Sequence, residues 1–257
     1  MTHRNIRKFR RVWRLWIDPV LPATNIAYGF QQYIRYFYSW KQYTKLPGAE
    51  RLRLRDGFPC LFDAVQTTPF DTHYFHQAVW AARHIAQQAA PFHIDIGSDT
   101  RFVGLLTTHK PIVFLDYRPL KAKIPGLHCL AGDILHLPFQ AESIPSLSCL
   151  HVVEHVGLGR YGDPLNPLGT QQACAELARV LSPGGSLFFS TPTGQTRTHF
   201  NAHRIHNPRQ ILSFFAQLEL VEFSAVDDRG QVQLNANLNE FEKARYACGL
   251  FWFRRNL

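Results

Sequence analysis

Phe92-His93-Ile94-Asp95-Ile96-Gly97-Ser98-Asp99 is a short apolar run that ends on an acid and a glycine. Such a run closed by a turn signal predicts a buried strand, and Gly97 predicts a tight turn behind it. The next run, Ile112 to Leu115, leads into Asp116, nineteen residues beyond Gly97. An acid at about that distance after a glycine turn is where an α/β fold places a ribose-bearing ligand. Working outward, further runs lie at His128 to Ala131, Leu147 to Val153, Ser186 to Ser190, Leu220 to Val226 and Ala247 to Phe253.

Helical patterns separate these runs. Asp71 or Thr72 caps a predicted helix through Gln88 whose stripe is Phe75, Ala78, Val79, Ala82, Ile85 and Ala86. Gln171 to Leu181 is a second, ending at Ser182-Pro183-Gly184-Gly185, and Pro208 opens a third that reaches about Leu218. Strands alternating with helices predict a mostly parallel sheet covered on both faces, with ligands at the carboxyl ends of the strands. The last two strands are expected to pair antiparallel across the helix-poor stretch 227–246.

With 46% hydrophobic and 18% charged residues, the 257-residue chain is neither disordered nor collagen-like. Its net charge of +9 is all at the front. Residues 1–55 hold 12 basic residues against only Asp18 and Glu50, so the body is close to neutral. Five cysteines at wide spacings, without a CxxC pair, predict a reducing compartment rather than a disulfide framework. With neither a long apolar stretch nor a secretory leader pattern, the expectation is a cytoplasmic protein.

In residues 4–17, Ile6, Phe9, Val12, Trp13, Trp16 and Ile17 recur at helical spacing among six arginines and lysines. This predicts a basic amphipathic helix that lies on an anionic membrane surface, or that packs on the body or on a second subunit. Between Tyr28 and Tyr43, eight of sixteen residues are aromatic. That density suits an interface, and without an RNA-module signature nucleic acid is not an expected partner.

Taken in order, Asp95-Ile96-Gly97-Ser98, Asp116, Gly132-Asp133-Ile134, His151-Val152-Val153-Glu154-His155 and Leu181-Ser182-Pro183-Gly184-Gly185 resemble the class I S-adenosylmethionine-dependent methyltransferases over roughly residues 90–195. More narrowly, the first turn and the run from His151 to Pro164 look like an uncharacterised methyltransferase-like family catalogued as a domain of unknown function. The resemblance implies a Rossmann-like seven-stranded sheet, mostly parallel with an antiparallel last strand and helices on both faces. With the charge split, this divides the chain into a basic aromatic extension, 1–55, and a methyltransferase-like α/β domain, 56–257. The implied cofactor is S-adenosylmethionine, held by Asp95, Gly97 and Ser98 at the first turn, Asp116 and Tyr117 after the second strand, Asp133 and Ile134 after the third, and His151. The first turn departs from the family in lacking further glycines, since Ser98, Asp99, Thr100, Arg101 and Phe102 follow Gly97. A protein of this fold that has lost turnover and serves as a binding or scaffold subunit is the main alternative to an active enzyme.

His151, Glu154 and His155 also match H-x-x-E-H, a zinc-hydrolase pattern that works only on a helix. Here the run continues a strand and meets Gly157 and Gly159, so a strand end is expected and no metal is assigned. As a methyltransferase feature, the run places His151, Glu154 and His155 at the mouth of the site as candidate catalytic residues, or as groups that fix the loop and pack on the cofactor. A second polar cluster, Thr191, Thr193, His199, Asn201, His203, Arg204 and His206, follows strand five. His203 is the preferred base, since an imidazole with a pKa near ~6.5 can take a proton from a hydroxyl; the alternative is a loop whose histidines cap the Pro208 helix. A glycan, a lipid-linked sugar or another small molecule is the expected acceptor.

Overall fold

The computed structural model of the protein describes residues 26–257; the basic stretch 4–17 lies outside them. The chain divides into two compact units, Met1–Pro69 and Phe70–Leu257. In the first, helix α1 (Ile26–Tyr43) carries the aromatic run, with Tyr36 packed against both Phe37 and Trp40. No helix among the described residues is long and apolar enough to cross a membrane.

The second unit is built on one eight-stranded sheet in the order β3-β2-β1-β4-β5-β10-β8-β9. Strands β1 (His93–Ile96), β2 (Ile112–Asp116), β3 (Leu127–Ala131), β4 (Ile144–Leu150) and β5 (Leu181–Thr193) are parallel. The last long strand, β10 (Ala247–Arg254), runs antiparallel between β5 and β8 (Glu219–Val226). The expected seven strands become eight because the chain after β8 turns back and adds β9 (Val232–Gln233), which pairs with Ala225 and Val226. A separate hairpin, β6 (Arg197–His199) with β7 (His203–Ile205), forms where the sequence suggests only a loop.

Alternate strand residues face opposite sides, and each side is covered. Ile94, Ile96, Leu147, Phe189 and Phe251 pack with helices α4 (Gly169–Val180) and α5 (Pro208–Phe214). On the other side, Phe114, Leu150, Phe188 and Leu250 pack with α2 (Thr72–Gln87) and α3 (Thr100–Leu106). Asp71 caps α2 by accepting from the Tyr74 amide at 3.1 Å. Strand β5 extends past Ser190 to Thr193 because β10 pairs along it from Ser186 to Thr193. Helix α5 stops at Phe214 rather than near Leu218, and its cap is Asn207, not a histidine. The sheet order reverses between β1 and β4, which opens a crevice at their carboxyl ends.

Candidate active site

At the end of β1 the chain turns at Gly97, whose φ is +69°. A Cβ there would crowd the Val152 side chain at 3.2 Å, so both the left-handed turn and this close approach favour glycine. Asp95 holds the turn from below: its Oδ1 accepts from the Ser98 amide at 3.0 Å, and its Oδ2 accepts from the Ser148 hydroxyl. Ser98, the residue that replaces the expected second glycine, is buried, with its hydroxyl oxygen accepting from the Leu150 amide at 3.0 Å. Its side chain thus ties the turn to β4, so the missing glycine does not block the crevice.

Across the crevice, Asp116 ends β2 and its Oδ1 accepts from the Arg118 amide at 2.6 Å. After β3, Gly132 is required because a Cβ would meet Leu115 at 2.8 Å. Asp133 then accepts from the Leu135 amide at 2.9 Å, which shapes the loop that buries Ile134. Gly97, Asp116, Tyr117, Asp133, Ile134 and His151 all line one cavity of about 360 Å³, together with Ser98. Asp95 lies behind that lining as a brace. Tyr74, Val152 and Tyr161 complete the wall; their spacing in the sequence gives no signal of this. Arg118 lies over the Tyr161 ring, 4.2 Å from its centroid.

Beyond His151 the chain does not continue as a strand. His151 itself has φ +55°, in the left-handed region, and Val153–His155 form a single 3-10 turn. His151 and His155 therefore do not share a helix face, and the zinc-hydrolase arrangement of H-x-x-E-H does not form. Instead the turn points three titratable groups at each other in a nearly dry place. Glu154 is 1% exposed, and its Oε1 lies 3.4 Å from His151 Nδ1 and 3.8 Å from His155 Nε2. Neither approach is aligned as a hydrogen bond, so that oxygen has no hydrogen-bond partner. Burial pushes the Glu154 carboxyl up to about 8, and burial likewise pulls His155 down to about 4 and His151 well below its ordinary value. At neutral pH both imidazoles are uncharged. The Nδ1–H of His155 donates to the Ala202 carbonyl at 2.6 Å, which leaves its Nε2 facing Glu154.

A second cavity of about 480 Å³ adjoins the first and shares Tyr74, His151 and His155 with it. Its other walls include His73, Glu154, Arg160, His203 and Tyr246. His203 sits on the β6–β7 hairpin with its ring 5.2 Å from Tyr246 and 6.5 Å from His155, and burial lowers its pKa. Of the rest of the predicted second cluster, His199 and Asn201 are exposed on the hairpin and four residues are buried. Thr191 and Thr193 are buried in β5, and His206 bonds Gln210 at 3.2 Å. Arg204 is buried with its guanidinium donating to the carbonyls of Val156 at 2.6 Å and Asn166 at 3.1 Å.

Residues 140–249 match DUF268, a family described as a Caenorhabditis protein of unknown function. No curated protein matches the chain by sequence. Solved structures do share its fold. One is a chain of the Haloferax volcanii complex between the Trm112 methyltransferase activator and its methyltransferase partner, at TM-score 0.50 and 16% identity over 72% of this chain and 91% of that one. Another is the N-methyltransferase NodS from Bradyrhizobium japonicum, at TM-score 0.50 and 16% identity over 73% and 98%. The [4+2]-cyclase SpnF is similar at TM-score 0.52 and 13% identity over 71% and 80%. The crevice at the β1/β4 reversal, the five parallel strands and the antiparallel β10 give this chain the fold of the class I S-adenosylmethionine-dependent methyltransferases.

Proposed function

We propose that the protein is an S-adenosylmethionine-dependent methyltransferase acting on an oxygen or nitrogen of a small polar acceptor such as a glycan or lipid-linked sugar. The observation that carries this reading is the convergence of Gly97, Asp116, Asp133 and Ile134 on one cavity beside a second, polar one. The residues fit the cofactor. Gly97 leaves the space that a Cβ would fill, Asp116 offers a carboxylate to ribose hydroxyls, and Ile134 gives an apolar surface for adenine. The bound cofactor supplies the activated methyl group.

The chain's own part is orientation, exclusion of water and proton handling. Tyr74, His151 and His155 divide the two cavities, so an acceptor in the second meets the cofactor across them. Arg160 and the Tyr246 ring, stacked on His73 at 5.1 Å, suit a sugar face or an anionic substituent. His203, whose pKa is lowered by burial and which lines the second cavity, is the residue assigned to take the acceptor proton. The basic stretch 4–17 is proposed to hold this activity at the inner, cytoplasmic face of an anionic membrane.

Calorimetric titration with S-adenosylhomocysteine tests the reading. Micromolar binding is expected, with Asp116→Ala weakening it about 10- to 100-fold, as loss of a hydrogen bond to a charged group contributes about 1.5–3 kcal/mol. Absence of binding by folded protein would overturn the proposal. Binding without methyl transfer to any polar acceptor would favour the non-catalytic scaffold.

A further inference from the structure

Among the described residues, one group of metal-ligating side chains comes together, and it lies at the wall of the acceptor cavity. His73 belongs to the first turn of α2, His151 to the strained residue after β4, and Cys248 to the second position of β10. One ligand atom from each lies within 4.8 Å of the others. His151 Nε2 and Cys248 Sγ are 3.2 Å apart. Bond lengths of about 2.0–2.1 Å to nitrogen and 2.3 Å to sulfur put neighbouring ligand atoms of a tetrahedral zinc site about 3.3–3.6 Å apart. That pair lies slightly inside this spacing, and the third atom, from His73, is within 4.8 Å of both, so small side-chain rotations would close the set.

A second, independent feature stands behind His151. An imidazole that binds a metal through one nitrogen donates its other N–H to a carboxylate or carbonyl, which fixes its tautomer and orientation. The Nδ1 of His151 lies 3.4 Å from Glu154 Oε1, a rotation of the ring away from hydrogen-bond alignment, and that oxygen is a buried acceptor without a hydrogen-bond partner. An ion on Nε2 requires the proton on Nδ1, next to this waiting oxygen. The left-handed backbone of His151, which costs about 1–3 kcal/mol in a non-glycine residue, is what turns the ring between Cys248 and Glu154.

We propose that His73, His151 and Cys248 bind a zinc-class divalent cation, with Glu154 as the outer partner of His151 and an open fourth position toward the acceptor cavity. Imidazole with thiolate selects such an ion over magnesium or calcium, which take oxygen ligands. Three protein ligands with one open position are the pattern of a site that engages a substrate atom. The fourth ligand is the acceptor's oxygen or nitrogen. That last assignment rests on the methyltransferase reading; the cation site does not.

The test uses the full chain, stripped with a chelator and titrated with zinc by calorimetry and with cobalt(II) by absorption. One ion per chain is expected, with cobalt giving the visible bands of a tetrahedral site and a near-ultraviolet thiolate charge-transfer band. Cys248→Ala should abolish the charge-transfer band. His73→Ala, at a half-buried position that folding tolerates, should weaken zinc binding at least about 100-fold, and Glu154→Gln about 10- to 100-fold. His73 does not line the cofactor cavity, so His73→Ala should bind S-adenosylhomocysteine as the parent does. Stoichiometric binding lost in these variants supports the site. No binding by folded protein, or binding unchanged in both His73→Ala and Cys248→Ala, overturns it. Homocysteine-cofactor binding in the same samples reports separately on the methyltransferase reading.

Discussion

His93 and Asp95 sit two residues apart on β1, both fully buried, and are joined through one hydroxyl. Ser148 donates to Asp95, so its oxygen accepts from His93 Nε2–H at 2.8 Å, and His93 Nδ1 accepts from Ser146 at 2.8 Å. Burial pulls His93 down to about 3 and pushes Asp95 up to about 6. Between pH about 3 and 6.5 only the unfolded chain protonates His93, so this stability is complete above that window and lost as pH falls through it. For Asp95 the folded form holds a proton that the unfolded form lacks between about 3.8 and 6, so its contribution declines as pH rises through that window. From pH 6 to 4 the two slopes, each about 1.4 kcal/mol per unit, oppose each other. Asp95→Asn removes one of them. Its stability, measured by urea unfolding, should fall relative to that of the parent by about 1–3 kcal/mol from pH 6 to 4. Parallel profiles would refute the assignment.

Among the elements, the β6–β7 hairpin forms where local pattern suggests only a loop, and it carries His203 to the acceptor cavity. Arg204 anchors it. The guanidinium fork reaches the Val156 and Asn166 carbonyls and the Thr170 hydroxyl at 3.3 Å, joining the hairpin to the segment that follows the His151–His155 turn. A lysine ammonium cannot span these acceptors in the same way. Arg204→Lys should therefore behave like Arg204→Ala. Each should lose about 2–3 kcal/mol through buried carbonyls left without donors, a fall of about 4–12 °C in Tm by calorimetry. Full rescue by lysine would show that charge alone holds the hairpin. The first turn, by contrast, is readable from its residues, because Gly97 and Asp95 act within four positions; only the direction of Ser98 needed the neighbouring strand.

On the scale of the whole molecule, charge separates from chemistry. Residues 1–55 hold all of the positive excess, while the body that holds both cavities is close to neutral. Each basic residue near an anionic surface contributes about 1 kcal/mol. Replacing Arg4, Arg7, Arg11 and Arg14 by glutamate should therefore abolish sedimentation with phosphatidylserine vesicles at low salt and leave S-adenosylhomocysteine binding unchanged. Vesicle binding that persists in this variant would remove the proposed membrane role of the segment.

Local sequence alone determined the alternation of strands and helices, the glycine turn at Gly97, and the acids at the ends of β1, β2 and β3. These depend on side-chain periodicity and turn chemistry within a few residues, which the chain carries wherever it folds. Tertiary structure decided the rest. The sheet order inserts β10 between β5 and β8, and so brings Cys248 to His151 and His73 from positions far away in the chain. The inward turn of Ser98 likewise depends on β4, and the β6–β7 hairpin, though its own pairing is local, is held in place by Arg204 reaching Val156 and Asn166. Periodicity says which face of an element is buried, but not which other element will cover it, and the candidate metal and acceptor sites lie at such junctions.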